Sequence, residues 1–221
     1  MSTSKCDNCF VASSKAYHHG NLRQVLIETG LKLIEEKGVQ ALTLREIGDR
    51  VGVSRMAPYR HFADKAALVA AISVEGFTAF AEALDNAKKR AKPDFASRMT
   101  AMGVAYVRFA TEHPAYFEVM FGPLAIQANA EPGEGPGVRA FNLLEETIRE
   151  GQASGAVQAG DSRALALVAW ALVHGLSALR LEDWRAGGAL TNFACKILQD
   201  GLRPAVSARK SGDSRGQKPK R

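Results

Sequence analysis

The chain has 221 residues, 46% hydrophobic, 24% charged and 7% aromatic, enough for one or two domains with sizeable cores. That is too apolar for a disordered chain, and 20 Gly with 8 Pro exclude a collagen-like or linker composition. The formal charge of +6 resides at one end: Arg203 to Arg221 hold seven Lys or Arg and one Asp, while residues 1–202 balance at zero. This tail, rich in Ser, Gly and cations, reads either as a solvated end or as a phosphate-seeking arm. Pro and charged residues break the apolar stretches before the roughly 18 residues of a membrane span, and the polar first fourteen residues lack the apolar run of a secretory signal. Three cysteines, an odd count, fit a reducing cytoplasm better than a disulfide framework. A cytoplasmic protein with no membrane partner is expected.

Taken in chain order, almost every patterned stretch reads as helix, and the expected class is all-α. A tail at 1–19 precedes Asn21, a cap for a helix with Leu22, Leu26, Leu33 and Ile34 inward, Gln24 at the capping-box position and Gly38 as a left-handed end. Thr43-x-x-Glu46 is a capping box opening a short helix with Leu44, Ile47 and Val51 inward, interrupted by Gly52. Ser54 is placed to cap a third short helix ending near Phe62. Asp64 then caps a long one to about Arg90, stopped by Pro93. Further helices are expected at about Phe95–Glu112, after Pro114, at Gly137–Ser154, Ser162–Trp184 and Gly188–Leu202, with a mobile loop between Gly122 and Gly137. The division is a three-helix unit at 20–66, a helical unit at 67–202, and a basic tail at 203–221.

The segment from Thr43 to Leu68, TLREIGDRVGVSRMAPYRHFADKAAL, has the shape of a helix-turn-helix: two short helices joined by a tight turn containing glycine. In that motif the first residues of the second helix, here Ser54, Arg55, Met56 and Ala57, reach base edges in the major groove. Arg45, Tyr59, Arg60, His61 and Lys65 flank them as donors suited to phosphate oxygens. On spacing alone an ordinary helical hairpin with a solvated basic face fits equally well.

The stretch from about Asn21 to Leu68 resembles the TetR family of bacterial transcriptional regulators. The resemblance is carried by the Gly38 helix end, T-L-R-E-I (Thr43 to Ile47), V-G-V-S (Val51 to Ser54) and Y-R-H-F-x-x-K-x-x-L (Tyr59 to Leu68). It implies that Thr43, Arg45, Tyr59, His61 and Lys65 hold phosphates and that Ser54 to Ala57 face bases. It also implies a dimer, a C-terminal domain with one ligand pocket, and repression of a double-stranded DNA operator released by a small-molecule effector. One departure stands out: Pro58 falls at about the fourth position of the recognition helix. It removes an N–H that would bond back to Ser54 and predicts a distorted first turn.

The C-terminal half resembles a TetR subgroup named for a Trp-His-Gly pattern, here Trp170, His174 and Gly175. Trp170 and His174 lie four apart on one helical face, and Gly175 is read as a close-approach position. They read either as packed core or as a pocket wall with His174 as its polar contact. Tyr106, Phe109, His113, Tyr116, Phe117 and Met120, around the Pro114 break, complete the candidate ligand set, with Phe121 in the same stripe. Leu165, Leu172, Leu176 and Leu179 on one terminal helix, with Leu190, Phe193 and Ile197 on the other, make those two helices the expected homodimer surface. Cys6-x-x-Cys9 has zinc spacing but no second pair, so no metal and no cofactor is expected. The chain holds no Gly-rich phosphate loop, no G-x-S-x-G and no H-E-x-x-H, and an enzyme is not expected. A DNA-binding protein without a ligand, architectural or controlled by a partner, is the rival reading.

Overall fold

The computed structural model describes residues 21–123, 136–180 and 188–204. Every regular element among them is helical, and they divide into two compact units, one ending at Leu68 and the other beginning at Val69. The expected tails at 1–19 and beyond Pro204, with Cys6 and Cys9, and most of the expected loop after Gly122 lie outside the described residues.

The first unit starts with α1 (Leu22–Lys37), whose buried face is Leu26, Ile27, Gly30, Leu33 and Ile34. Asn21 precedes it, but its side chain makes no capping bond. Gly38 ends α1 with φ 77° and ψ 164°, a positive φ as expected but outside the left-handed helical region. After a 3-10 turn at Val39–Ala41 comes α2 (Leu44–Val51), capped by Thr43, whose Oγ1 accepts the Glu46 N–H at 3.1 Å. The Glu46 carboxylate does not close the box. It accepts from Lys37 Nζ (3.2 Å) and Arg50 Nε (3.3 Å), and the Lys37 bond above all lowers its pKa. Gly52 stops α2 in the left-handed conformation at φ 78° and ψ 31°, where an L residue would be strained.

No α-helix follows at Ser54. The Ala57 N–H bonds to Ser54 O (2.9 Å), and Pro58–Arg60 forms a single 3-10 turn. Pro58 has no N–H to give the Ser54 carbonyl, so that carbonyl is satisfied one residue early and the winding tightens. Asp64 then caps α3 (Lys65–Arg90), its Oδ1 accepting the Ala67 N–H at 2.8 Å. The chain passes from one unit to the other within this helix.

The second unit comprises the rest of α3 with α4 (Phe95–Glu112), α5 (Pro114–Phe121), α6 (Pro136–Ala153), α7 (Ser162–Ala178) and α8 (Ala189–Leu202). Helix α4 is its centre, packing against α5, α6, α7 and α8. Phe80, Met102, Tyr106, Ile148, Val173 and Leu176 meet in the core around it. Local caps set the ends: Asp94 accepts the Ser97 N–H (2.8 Å), which lowers its pKa, and Asp161 accepts from Arg163 and Ala164. Lys88 reaches Glu146 (3.2 Å) and Glu150 (3.0 Å), and Arg98 reaches Glu150 (2.7 Å), joining α3, α4 and α6. Contrary to the expectation that charges interrupt every apolar stretch, α3 holds an 18-residue window of mean hydropathy 1.6. It is long and apolar enough to cross a membrane by length and composition, and half of that window is buried inside the protein.

Among the described residues Gly175 is not a close-approach position, because a Cβ there meets none of their atoms within 4 Å. The tight glycines are elsewhere. A Cβ on Gly151 would lie 2.6 Å from both Phe95 and Val157, and one on Gly103 2.6 Å from Cys195 Sγ. Gly151→Ala should therefore lose about 1–3 kcal/mol of stability to overpacking. Gly175→Ala, free of contacts inside α7, should be neutral or gain up to about 1 kcal/mol of helix propensity. Denaturant midpoints of the two variants check this, and shifts of the same sign would show the packing to be misassigned.

Candidate nucleic-acid interface and ligand groove

Two residues fasten the segment from Ser54 to Phe62 to the first unit. Pro58 is buried against Gly48 of α2, where a Cβ would come within 3.0 Å of the proline Cγ. Phe62 is buried, with the Arg23 guanidinium of α1 stacked 5.3 Å from its ring centre. With those two inward, Ser54, Arg55, Met56, Tyr59, Arg60 and His61 all face solvent and Ala57 is half-buried. Met56 is 63% exposed and Tyr59 48%, a large apolar surface to leave in water on a loop. Among the described residues, no carboxylate lies within ion-pair distance of Arg55 or Arg60, whereas Lys37 and Arg50 are neutralised by Glu36 and Glu46. Thr43 and Arg45 are exposed at the start of α2, Arg45 facing Asp49 at 3.9 Å. Lys65, in the first turn of α3, donates to Gln40 O at 3.1 Å and so fastens the loop ahead of α2. An ammonium has two further donors, so this bond leaves Lys65 able to meet an anion.

All ten sequence-selected residues thus fall on or beside one turn of the first unit, although the helix expected to carry the base-facing four is absent. Arg23 and Gly48, which hold the turn in place, carry no local signal.

The eight residues selected in the second unit are joined by packing and ring contacts but do not line one cavity. Tyr106 is buried and its hydroxyl lies 2.8 Å from His174 Nδ1. Around this pair pack Phe117 (5.5 Å from the His174 ring), Phe121 (4.8 Å) and, against Tyr106, Trp170 (5.1 Å) and Phe80 (4.9 Å). These are mostly edge-to-face contacts, the arrangement favoured by ring quadrupoles. Burial lowers the His174 pKa and raises that of Tyr106, so both groups are held neutral. Phe109 packs between Phe80 and the exposed His113, while Tyr116 and Met120 close over Gly76 of α3. Phe80 is missing from the sequence selection, since nothing local marks it as the partner of Tyr106.

Three cavities line these residues. A small pocket of about 30 Å³, walled by Tyr106, Trp170, Met102 and Cys195, has room for about one water; burial pushes the Cys195 thiol up to about 11. A groove of about 550 Å³ opens between α4, α5 and the end of α7 and is lined by Phe117, Phe121 and His174 with Thr111, Ser177 and Arg180. Another, of about 520 Å³, lies between α3 and α4 beside Ala105, Phe109 and His113. Among the described residues no group of three His, Cys, Asp or Glu side chains is placed to hold a metal ion.

The outward apolar stripes on the last two helices differ in part from the expected ones. Leu176 is buried and Leu165 and Leu172 are half-buried, while Leu167 and Val168 are exposed beside Leu179 on α7 and its end. On α8 the expected Leu190, Phe193 and Ile197 do face solvent, Phe193 at 61% exposure.

The family model for bacterial regulatory proteins of the tetR family matches residues 26–72. That for the tetracyclin repressor-like C-terminal domain matches residues 99–190, including Trp170, His174 and Gly175. A solved structure of a protein of unknown function from Rhodococcus sp. RHA1 is 31% identical with a TM-score of 0.67, covering 85% of this chain and 96% of that one. The transcriptional regulator FadR from Bacillus subtilis, solved in complex with stearoyl-CoA, shares the fold at 17% identity and TM-score 0.66, covering 82% of this chain and all of that one (100%). The HTH-type transcriptional regulator YobS of Bacillus subtilis (strain 168), itself uncharacterised, is 25% identical over 99 residues. That match is 45% of this chain and 51% of the relative, so the chain spans about half the length of YobS. The chain belongs to the TetR family of bacterial regulatory proteins and is a DNA-binding transcriptional regulator.

Proposed function

We propose that this regulator is a homodimeric repressor that leaves a near-palindromic operator when a small apolar or amphipathic molecule enters its C-terminal unit. The observation that carries the reading is the solvent-facing set Arg55, Met56, Tyr59, Arg60 and His61 on a turn fastened inward by Pro58 and Phe62. Arg55 is the residue suited to guanine O6 and N7, and Met56 and Ala57 suit a thymine methyl. Thr43, Arg45, Tyr59, His61 and Lys65 take phosphates. The basic tail beyond Arg203 remains a solvated end or a phosphate-seeking arm, separable by deleting it and measuring non-specific affinity at low salt.

The dimer reading rests on Leu167, Val168, Leu190, Phe193 and Ile197, which leave apolar surface in water on both terminal helices. Paired across a two-fold axis, α7 and α8 form a four-helix bundle. Two recognition turns then meet successive major grooves about 34–36 Å apart. The ligand reading rests on the groove beside His174, whose volume falls in the range of small-molecule sites; the stearoyl-CoA complex of the FadR neighbour supports it by likeness of fold. A ligand with a hundredfold preference for the DNA-free state contributes about 2.7 kcal/mol of coupling, and operator DNA must weaken its binding by the same factor.

Selection of bound fragments from the source genome, followed by affinity measurement on the selected operator, tests the whole reading. On that operator Lys65→Ala should weaken binding to all sequences alike and lower the salt slope by about one unit per subunit. Arg55→Ala should instead flatten base preference at particular positions by about 1–3 kcal/mol. A Lys65→Ala protein with altered sequence preference and an intact salt slope would reverse the roles. For the assembly, Val168→Asp with Phe193→Asp should give a folded monomer in sedimentation. A dimer that survives both changes places the interface elsewhere.

A further inference from the structure

We propose that the groove beside His174 selects a neutral apolar molecule carrying a hydrogen-bond acceptor such as a carbonyl oxygen, because Tyr106 fixes His174 as the donor. The proposal rests on the ligand reading above and deepens it to a ligand class.

Two arrangements satisfy the 2.8 Å contact between the Tyr106 hydroxyl and His174 Nδ1. If Nδ1–H donated to the hydroxyl oxygen, the phenolic proton would need another acceptor. Tyr106 is 2% exposed, and among the described residues its hydroxyl has no partner but His174. A buried donor left unmade is costly. The phenol therefore donates, Nδ1 accepts, and the neutral imidazole carries its proton on Nε2. An imidazolium would put a proton on Nδ1 and strand the phenolic one again, and burial of the ring already works against the charged form. Tyr106 thus acts as a positioning residue for the tautomer of its neighbour.

The hydroxyls of the groove do not duplicate that N–H, and its other side-chain donor among the described residues is the exposed Arg180. Thr111 Oγ1 donates to Val107 O (2.9 Å) and Ser177 Oγ to Val173 O (2.8 Å), so both hydroxyl protons are spent on helix carbonyls. Among the described residues the charged groups of the lining are Glu118 and Arg180, both exposed and opposite in sign, so together these two bring no net charge to attract an ion. Between them the walls are Phe117, Phe121 and Val107. A hydrocarbon leaves the Nε2–H unpaired and a carboxylate loses its hydration for one uncharged donor, whereas a ketone, ester or lactone meets both needs.

The test titrates full-length protein with three probes of one shape: acetophenone, α-methylstyrene and benzoate. Binding is read by ligand-detected NMR, with imidazole ¹⁵N shifts reporting the tautomer. The wild type should hold the Nε2–H tautomer and disfavour benzoate. Its affinity ratio of acetophenone to α-methylstyrene should fall about tenfold in His174→Leu, the size of one hydrogen bond. His174→Gln, which keeps an N–H donor, should recover part of that ratio. Tyr106→Phe should release the tautomer into a mixture. An unchanged ratio in His174→Leu, or benzoate as the tightest probe, overturns the ligand class while leaving the groove a ligand site. Absence of binding by all three probes up to their solubility overturns the ligand reading of this groove as well.

Discussion

A proline ring seated on a glycine governs what the N-terminal unit presents to solvent. Pro58 cannot give the Ser54 carbonyl the N–H of a regular helix, and a Cβ at position 48 of α2 would come within 3.0 Å of its Cγ, so a larger residue there would crowd the ring. The chain answers with bonds to the third residue, Ala57 to Ser54, Arg60 to Ala57 and His61 to Pro58, before Asp64 starts α3. Such winding carries fewer residues per turn than an α-helix and seldom runs longer than one turn. The result is a short knuckle with Pro58 and Phe62 as roots and the polar and basic residues around the outside. Here their directions are set by packing against α1 and α2, so the geometry of this exposed surface is a property of the whole small core.

In the C-terminal unit the comparable constraint is one buried hydroxyl. Tyr106 lies in the most enclosed part of the core with Phe80 and Trp170 packed edge-on to its ring. A phenylalanine would fill that volume without needing a partner. The hydroxyl is tolerated only because α7 brings His174 within 2.8 Å, and this ties α4 to α7 by direction as well as by contact area. The same ring is half-buried and also lines the groove, so one side chain belongs to both the packed core and the cavity beside it.

Those two sites mark where the sequence was legible and where it was not. Helix ends set by adjacent residues were read directly: Thr43 before α2 and Asp64 before α3 accept bonds from the next few N–H groups, and Pro114 stands in the first turn of α5, where its missing N–H costs nothing. Pro58 was legible as a distortion, but its depth was not, since that depends on Gly48, ten positions away. Gly175 looked like the packing glycine because it follows His174, yet Gly103 and Gly151 fill that role through Cys195, Phe95 and Val157. Trp170, His174 and Phe117 could be chosen as aromatic groups on apolar faces, but not separated from His113, whose ring lies at the exposed end of α4. Periodicity identifies a face and leaves open which neighbour covers it. For α7 this made Leu165 and Leu172 look outward when Leu167 and Val168 are.

Net charge was the least informative quantity for the DNA-binding surface, and the reason is the range of the field. Residues 1–202 carry no net charge, and within the first unit much of the positive charge is cancelled by neighbours: Glu36 and Glu46 hold Arg50, and Glu46 also holds Lys37. In physiological salt an exposed charge is screened beyond about 8 Å. A phosphate arriving at the knuckle therefore responds to the eleven residues from Val53 to Ala63, which contain Arg55, Arg60, Tyr59 and His61 and no carboxylate at all. On the neighbouring helices Glu36, Glu46 and Asp49 are already committed to Arg50, Lys37 and Arg45. Segregation of charge over the length of one turn, created by where ion pairs close and where they cannot, leaves one place within the balanced residues 1–202 where the positive charge is not offset by its neighbours.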